Sequence, residues 1–426
     1  MSRDGRRILV AQALRALTYG FVSVHLGVTF DALEWSAARV AVLLAAVLAG
    51  TAVLSVVIGR LSGVVGRRAL YTALFLGLAG SGLVFGITTN FVALALVALT
   101  GTLSTEVVES GPFTSLEQAM LPDTVGPARQ RRVFGTYNAI ATIAGSVGAL
   151  LAGGPEVLRE AGLGVPGGHR LFLVLVPVGL LGAVVAASLS PAVEPASPLT
   201  GSGPAPLHRS RSVVRRLAAL FALDSFGGGL AVQSFLVFFL SREFGLSAEA
   251  LSVVFFVVGF LQAGSFVAAT RLADRIGLLR TMVFTHLPSN LLLAAVPFAP
   301  NGATAVLLVL ARFGLSQMDV PTRQAYVVEL VDPEERVAAA AYTSSARYAV
   351  RPLGAALGGL LQQVALGLPL VAAGGIKSAY DLVLWRWFRR VPLPSTSAQE
   401  EPAGDPVPAN GSRAARPEGA VPAVDR

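Results

Sequence analysis

The sequence predicts an all-α membrane protein whose twelve transmembrane helices form two six-helix bundles related by a pseudo-twofold axis. Three observations support this fold class. Hydrophobic residues make up 54% of the 426 residues and charged residues only 14%, whereas soluble domains carry about 25% charged residues. Twelve apolar stretches are each long enough to cross a bilayer. Finally, motifs of the first half of the chain recur in the second half.

Each predicted span holds about 20 mostly apolar residues, the length that crosses the hydrocarbon core of a bilayer. The first span follows a basic N-terminus but is too long for a signal-peptide core, and no small-residue cleavage motif follows it. We therefore expect it to remain in the protein. The predicted spans are Ile8–Phe30, Ala37–Ile58, Ala69–Thr88, Phe91–Pro112, Val133–Gly153, Leu171–Leu189, Leu217–Leu240, Ala250–Ala269, Thr281–Ala299, Ala303–Val320, Val337–Leu361 and Leu368–Phe388.

The segments outside the spans divide the chain into four regions. Residues 190–212 are rich in Pro, Ser and Gly, which is typical of a flexible linker. The tail from residue 391 combines Pro, Ala and charged residues without periodicity, so we expect it to be disordered. The predicted organisation is an N-terminal bundle over 1–189, a cytoplasmic linker over 190–212, a C-terminal bundle over 213–390 and a disordered cytoplasmic tail over 391–426.

Basic residues are distributed unequally between the two sides of the predicted membrane. The odd-numbered loops hold only Arg39, Arg159, Arg170 and Arg242, whereas arginines recur in every even-numbered loop and at the N-terminus. This bias predicts that both termini lie in the cytoplasm of a protein in the cell (inner) membrane. The net charge of +8 is spread over these loops, so we expect the lipid bilayer, and no nucleic acid, as the partner.

Two sequence motifs are repeated about half a chain apart. The second loop reads GRLSGVVGRR over 59–68, and the eighth reads TRLADRIGLLR over 270–280. GALLAG in the fifth span (148–153) corresponds to GAALGG in the eleventh (354–359). Internal repeats of this kind are typical of transporters, which place the substrate site where the repeats meet.

Across its spanning region the chain resembles the major facilitator superfamily. The family's loop between spans two and three reads Gly, three residues, Asp-Arg, one residue, Gly and two basic residues. The second copy keeps the acidic residue, whereas the first has Gly63 and Val64 in place of Asp-Arg. A partial glycine motif in span five also gives a distant likeness to the drug–proton antiporters. The resemblance implies secondary transport by alternating access, with a gating loop formed by Gly59, Gly66, Arg67, Asp274, Arg275 and Gly277.

Charged residues inside the N-terminal spans are candidate site residues, because a charge in hydrocarbon is costly unless it is paired or hydrated. Arg15 lies one turn before Tyr19 in span one, and Asp224 occupies the matching position in span seven. We expect this base and acid to face the substrate path from opposite halves, and Tyr19 joins them as a candidate substrate-binding or coupling residue. The alternative is that Arg15 pairs within its own half with Glu106 or Glu109.

Glu106 and Glu109 are three residues apart in span four and would share one helical face. Two neighbouring carboxylates are suited to proton coupling. The alternatives are a structural role as partners of Arg15 and a position in the cytoplasmic headgroup region.

Span ten ends in a polar segment with Gln317 and Asp319, which we expect to line the cavity or a gate. The alternative for Asp319 is a structural pair with Arg323, four residues later.

In span eleven, Arg347 and Arg351 share one helical face and form a candidate site for a carboxylate or phosphate. The alternative is neutralisation by Asp319, Asp224 or a glutamate of span four. In span twelve, the spacing of Lys377 and Asp381 predicts an internal ion pair.

These residues support three functional hypotheses. The first is proton-coupled export of a small organic molecule, and the second is an organic-anion carrier that uses Arg15, Arg347 and Arg351. Five basic and five acidic residues balance within the spans, so their number does not choose between the two. The third hypothesis is a membrane receptor or membrane-embedded enzyme. No enzyme, metal or cofactor motif supports it, and we expect a monomer that binds a small-molecule substrate and protons.

Overall fold

The computed structural model describes residues 1–62, 64–107, 111–121, 124, 130–194, 210–331 and 335–391. Met1–Val391 form one compact unit. Within the described residues, nine helical stretches are long and apolar enough to cross a membrane. The remaining predicted spans, the fourth, eleventh and twelfth, are also helical, but they are interrupted or carry charged residues. Most of the predicted linker, 195–209, and the predicted disordered tail from 392 lie outside the described residues.

Sixteen α-helices and three short 3₁₀ segments build the described part of the chain. The 3₁₀ segments are Gly168–Val174, Pro191–Val193 and Val296–Phe298. The helices are α1 (Arg3–Ala32), α2 (Ala37–Leu61), α3 (Arg67–Ile87), α4 (Phe91–Ala98), α5 (Pro112–Met120), α6 (Gln130–Leu151), α7 (Gly154–Glu160), α8 (Leu175–Ala187), α9 (Arg211–Leu230), α10 (Gln233–Phe244), α11 (Ala248–Ile276), α12 (Leu278–Ala295), α13 (Gly302–Ser316), α14 (Asp319–Leu330), α15 (Arg336–Val364) and α16 (Leu368–Phe388).

The twelve spans form two six-helix bundles, α1–α8 and α9–α16, with the connections expected of the major facilitator fold. Spans four, seven and ten each consist of two helices. The prediction of a continuous fourth span over Phe91–Pro112 is wrong, because α4 ends at Ala98 and α5 begins at Pro112. Proline favours the first position of a helix, since it lacks the N–H that would be unpaired there. The span therefore continues to Met120.

Glycine allows the same close helix crossing in both halves. A side chain at Gly148 of α6 would clash with the carbonyl of Leu17 in α1, and one at Gly354 of α15 would clash with the carbonyl of Phe226 in α9. Only glycine permits such a close backbone approach. These crossings bind helices within a half. They therefore help to hold each half together.

Polar contacts join the halves at the end of the molecule that carries the odd-numbered loops. In α1, Ser23 Oγ accepts a hydrogen bond from Gln233 Nε2, and the Ser23 carbonyl accepts one from Ser234 Oγ, both at 2.8 Å. Farther along α1, Asp31 forms an ion pair with Arg242 Nε at 2.6 Å. These contacts hold the two halves together at this end, and Gln233 also lines the cavity described below.

Candidate functional site

A cavity of about 200 Å³ lies between the two halves. The N-terminal half contributes only Thr105, Glu106 and Val107, which belong to the non-helical part of span four. The C-terminal half contributes all other lining residues, from α9 to α16. The charged and amide side chains among them are Asp224, Gln233, Gln262, Arg312, Gln317, Asp319, Arg323, Arg347, Arg351 and Lys377.

Two interrupted spans meet at this cavity in equivalent positions. Asn90 caps α4, and Asn301, 211 positions later, caps α13; each side-chain oxygen accepts the N–H of the third residue on. In the same register Gln317 corresponds to Glu106. Gln317 lies in the break between α13 and α14, as Glu106 lies in the break between α4 and α5. Matching breaks in the two halves of a transporter are a recognised sign of its substrate site.

Asp224 is the centre of a buried charge cluster in the C-terminal half. Its carboxylate forms an ion pair with Lys377 of α16. Arg323 Nη1 lies 3.7 Å from Asp224 and 2.7 Å from Asp319, one turn earlier on α14. The structural alternative for Asp319, a pair with Arg323, is therefore present, although both side chains also line the cavity.

The predicted pair between Lys377 and Asp381 is wrong. Asp381 instead accepts a hydrogen bond from Asn290 Nδ2 at 2.9 Å and contacts His286 Nδ1 at the same distance. His286 and Asn290 lie one turn apart on α12 and face Asp381 together. Lys377 points to Asp224, so the two residues of span twelve serve different neighbours despite their favourable spacing.

Arg351 forms an ion pair with Glu106 across the two halves. This pair corresponds to neutralisation by a glutamate of span four, one of the alternatives for Arg351. Arg347 lines the cavity one turn earlier, and its backbone carbonyl accepts a hydrogen bond from Ser225 Oγ at 2.8 Å. Glu109 lies outside the described residues.

Arg312 was not among the predicted site residues, although the sequence offered a signal. It is the one basic residue in the apolar run of span ten. Its guanidinium stacks on the Phe313 ring, with Cζ 4.4 Å from the ring centroid, and its buried Nε has no hydrogen-bond partner. Among the described residues it is the cavity cation without a hydrogen bond or ion pair.

Arg15 and Tyr19 lie within the N-terminal half and do not line the cavity. Both oxygens of Glu117 accept hydrogen bonds from Arg15, at 3.0 and 2.9 Å, so the carboxylate that Arg15 contacts among the described residues is Glu117 and not Glu106. Arg15 and Glu117 are fully buried. Glu117 was missed because it follows Pro112, where the predicted span ended. The Tyr19 hydroxyl donates to the Thr102 carbonyl at 2.8 Å.

The two predicted gating loops share one backbone feature. Gly66 precedes α3 with φ +91°, and Gly277 separates α11 from α12 with φ +85°. Glycine adopts this conformation at no steric cost. Of the other predicted gating residues, Gly59 lies exposed near the end of α2, and Asp274 and Arg275 are exposed at the end of α11. The gating role itself stays a prediction.

The first predicted gating loop, between spans two and three, has an additional hydrogen-bond partner near the start of the linker. The Glu194 carboxylate accepts hydrogen bonds from the N–H groups of Arg67 at 2.6 Å and Arg68 at 3.1 Å. A carboxylate at this end of α3 also suits the helix dipole. Gly63, at the position of the missing aspartate, lies outside the described residues.

Comparisons with known proteins point to one family. The family model described as Major Facilitator Superfamily matches residues 8–355 and 234–417. The chain is 24% identical over 418 residues to the uncharacterized membrane protein YJR124C of Saccharomyces cerevisiae, covering 90% of this chain and 93% of that protein. It is 26% identical over 201 residues to the uncharacterized MFS-type transporter YceJ of Bacillus subtilis, covering 46% of this chain and half of YceJ.

Solved structures share the fold at low sequence identity. The D-xylose-proton symporter superposes with a TM-score of 0.68 at 14% identity, covering 89% of this chain and 97% of that one. The nucleoside transporter NupG superposes with a TM-score of 0.66 at 15% identity, covering 90% of this chain and 97% of that one. The human organic anion transporter MFSD10 superposes with a TM-score of 0.61 at 17% identity, covering 90% of this chain and 100% of that one.

Proposed function

This chain belongs to the Major Facilitator Superfamily, and we propose that it carries a small organic anion across the membrane by alternating access. Family membership identifies the protein as a membrane transporter and not an enzyme. The anion is proposed from the cavity charges. Likeness to the human organic anion transporter shows the fold alone, as do the likenesses to sugar and nucleoside transporters.

The main support for the proposal is Arg312, whose guanidinium lies over Phe313 and forms no hydrogen bond or ion pair with the described residues. The acids of the cavity have cationic partners: Lys377 for Asp224, Arg323 for Asp319, and Arg351 for Glu106. Among the described side chains, no acid forms an ion pair or hydrogen bond with Arg312. A charge in a membrane interior is costly unless it is compensated or hydrated. The nearest acids to Arg312, Glu106 and Asp224, are paired with other cations, so a bound anion would supply the direct partner that Arg312 lacks.

The chemistry and size of the cavity limit the class of substrate that we propose. A guanidinium binds carboxylate or phosphate through two parallel hydrogen bonds. The cavity of about 200 Å³ is smaller than the roughly 300–1,000 Å³ typical of sites for drug-sized ligands. Gln262 and Gln317 supply neutral donors and acceptors for the rest of the molecule. We therefore propose a compact carboxylate or organic phosphate.

Counterflow in proteoliposomes tests the substrate class. Small carboxylates, organic phosphates, and an uncharged sugar and nucleoside would be offered to wild type, Arg312→Gln and Arg312→Lys. We expect anion counterflow in the wild type, its loss in Arg312→Gln and partial retention in Arg312→Lys. Arg60→Gln, which removes an exposed arginine outside the cavity, is the matched control. Counterflow of uncharged molecules that survives in Arg312→Gln would contradict the anion proposal.

Proton-coupled export is a second candidate, favoured by the position of Glu106. Its side chain is 28% exposed in the cavity, so it can exchange a proton with water, and its charge supports the cross-half pair with Arg351. Protonation would weaken that pair. Glu106→Gln should therefore abolish flux driven by a pH gradient while permitting exchange. Protons and substrate moving in opposite directions would support export, whereas movement together would identify symport.

The orientation and assembly state are also proposed. The arginine bias supports cytoplasmic termini in the inner membrane. Both sides of the cavity come from one chain, which supports a functional monomer.

A further inference from the structure

The non-helical part of span four loses the hydrogen bonds that a helix would give its backbone. Residues 99–107, between α4 and α5, are not helical. Irregular backbone at membrane depth persists only where protein or a wet cavity satisfies its polar groups. Here two side chains of α1 supply part of that satisfaction. Tyr19 Oη donates to the Thr102 carbonyl at 2.8 Å, and Arg15 Nη1 donates to the Val107 carbonyl at 3.2 Å.

These two hydrogen bonds lie on either side of Glu106 along the chain. Between them, the Glu106 N–H donates to Ser104 Oγ at 3.1 Å. The side chain of Thr102 is hydrogen-bonded to Ser81 Oγ of α3 at 2.8 Å. Thr102 and Ser104 are buried. The backbone that carries Glu106 is therefore anchored on both sides by residues that do not line the cavity.

Close packing against α2 supports the same segment. Gly101 has φ +73°, and a side chain on it would clash with the backbone of Gly50. A side chain on Gly50 would in turn meet the backbone of the segment at Ala98, Leu99 and Gly101. The segment is thus held by α1, α2 and α3, and its residues Thr105, Glu106 and Val107 line the cavity.

We propose that Tyr19 and Arg15 are positioning residues of the transport site. They fix the backbone on both sides of Glu106, so that its carboxylate reaches Arg351 across the halves. This inference rests on the proposed role of Glu106 in transport. It replaces the expectation that Tyr19 and Arg15 contact the substrate, because the structure places both away from the cavity.

Neighbouring tyrosines provide a matched control. Tyr71 Oη and Tyr137 Oη donate to Glu117, at 2.9 and 2.6 Å, and not to the non-helical segment. Tyr19, Tyr71 and Tyr137 are all fully buried. Replacing Tyr19 or Tyr71 by Phe removes one buried hydroxyl in each case, but only Tyr19→Phe releases the segment.

Thiol labelling can report the position of the segment directly, because the chain contains no cysteine. Thr105→Cys places one thiol on the cavity side of the segment, at a residue only 3% exposed. A water-soluble maleimide would be applied to purified protein carrying Thr105→Cys alone or with Tyr19→Phe, Tyr71→Phe or Ser81→Ala. We expect Tyr19→Phe to raise the labelling rate about three- to tenfold, as loss of one hydrogen bond predicts. Ser81→Ala should also raise it, whereas Tyr71→Phe should not.

Transport gives a second readout that a merely structural residue would not change. Tyr19→Phe should shift the pH dependence of flux, whereas Tyr71→Phe should keep the wild-type profile at equal amounts of folded protein. Unchanged labelling in Tyr19→Phe when it folds, or an equal rise in Tyr71→Phe, would overturn the positioning role. If Tyr19→Phe does not fold, Ser81→Ala decides alone. Labelling needs no substrate, so failure of the anion proposal would leave its result unaffected.

Discussion

Replacing Arg15 by methionine should destabilise the protein strongly, because it leaves a buried carboxylate without its cation. Glu117 accepts two hydrogen bonds from Arg15 and one each from Tyr71 and Tyr137. Both members of the ion pair are fully buried. In Arg15→Met only the neutral hydroxyls would remain to compensate the charge of Glu117.

The size of the effect follows from this burial. Removing one partner of a buried ion pair costs about 3–5 kcal/mol. The unfolding entropy of proteins is about 2.1 cal/mol/K per residue. For a compact unit that extends from Met1 to Val391, that entropy is about 0.8 kcal/mol/K, which converts the cost into a fall in melting temperature of about 4–6 °C.

Thermal unfolding of purified protein in detergent, followed by tryptophan fluorescence, measures this change. The variants are Arg15→Met, Glu117→Gln and the double variant, with Arg60→Met as the exposed-arginine control. In the double variant no charge is buried, the amide oxygen accepts one tyrosine hydroxyl and the amide N–H donates to the other, so we expect most of the lost stability to return. An unchanged melting temperature in Arg15→Met, or losses that simply add in the double variant, would refute the reasoning.

Three further predictions test the packing, the closed end and the topology. Gly354→Ala should lower the melting temperature through its clash at the helix crossing, whereas Gly375→Ala, with open space around it in α16, should not; equal effects would contradict the crossing argument. Arg242→Ala removes a partly exposed ion pair with Asp31, which is worth about 0.2–1 kcal/mol. It should therefore shift the conformational equilibrium by up to about fivefold toward opening at the odd-loop end. Unchanged labelling of a cysteine placed beneath that end would argue against this. Arg275→Cys should react with an impermeant thiol reagent only from the cytoplasmic side, and labelling from the opposite side would overturn the topology.

The spans and the repeat were predictable from sequence because they depend on properties that are local along the chain. Apolar length identifies a span whatever its neighbours are, and the repeated loop motifs predicted two related halves. The two glycines of the paired loops, Gly66 and Gly277, share a positive φ in the structure. Such features need no knowledge of which helices touch.

The partners of the buried charges were harder to predict because they depend on helix rotation and on interruptions within spans. Assigning span four as continuous to Pro112 excluded Glu117, the residue that neutralises Arg15. Spacing favoured Lys377 with Asp381, yet Lys377 packs beside α9 and reaches Asp224 instead. The sequence shows Arg312 as a basic residue in an apolar run, but only the three-dimensional arrangement shows that the acids near it are paired with other cations.

Because the cavity is lined unequally, the residues that would recognise the substrate and the residues that support the site lie in different halves of the polypeptide. Apart from Thr105, Glu106 and Val107, every residue around the cavity belongs to the C-terminal half. A chimera that joins this C-terminal half to the N-terminal half of another superfamily member should therefore inherit its substrate preference from this protein. The grafted half needs to supply only a suitably placed acidic residue opposite Arg351. Substrate range could then diversify through the second half alone, while the first half remains an interchangeable frame.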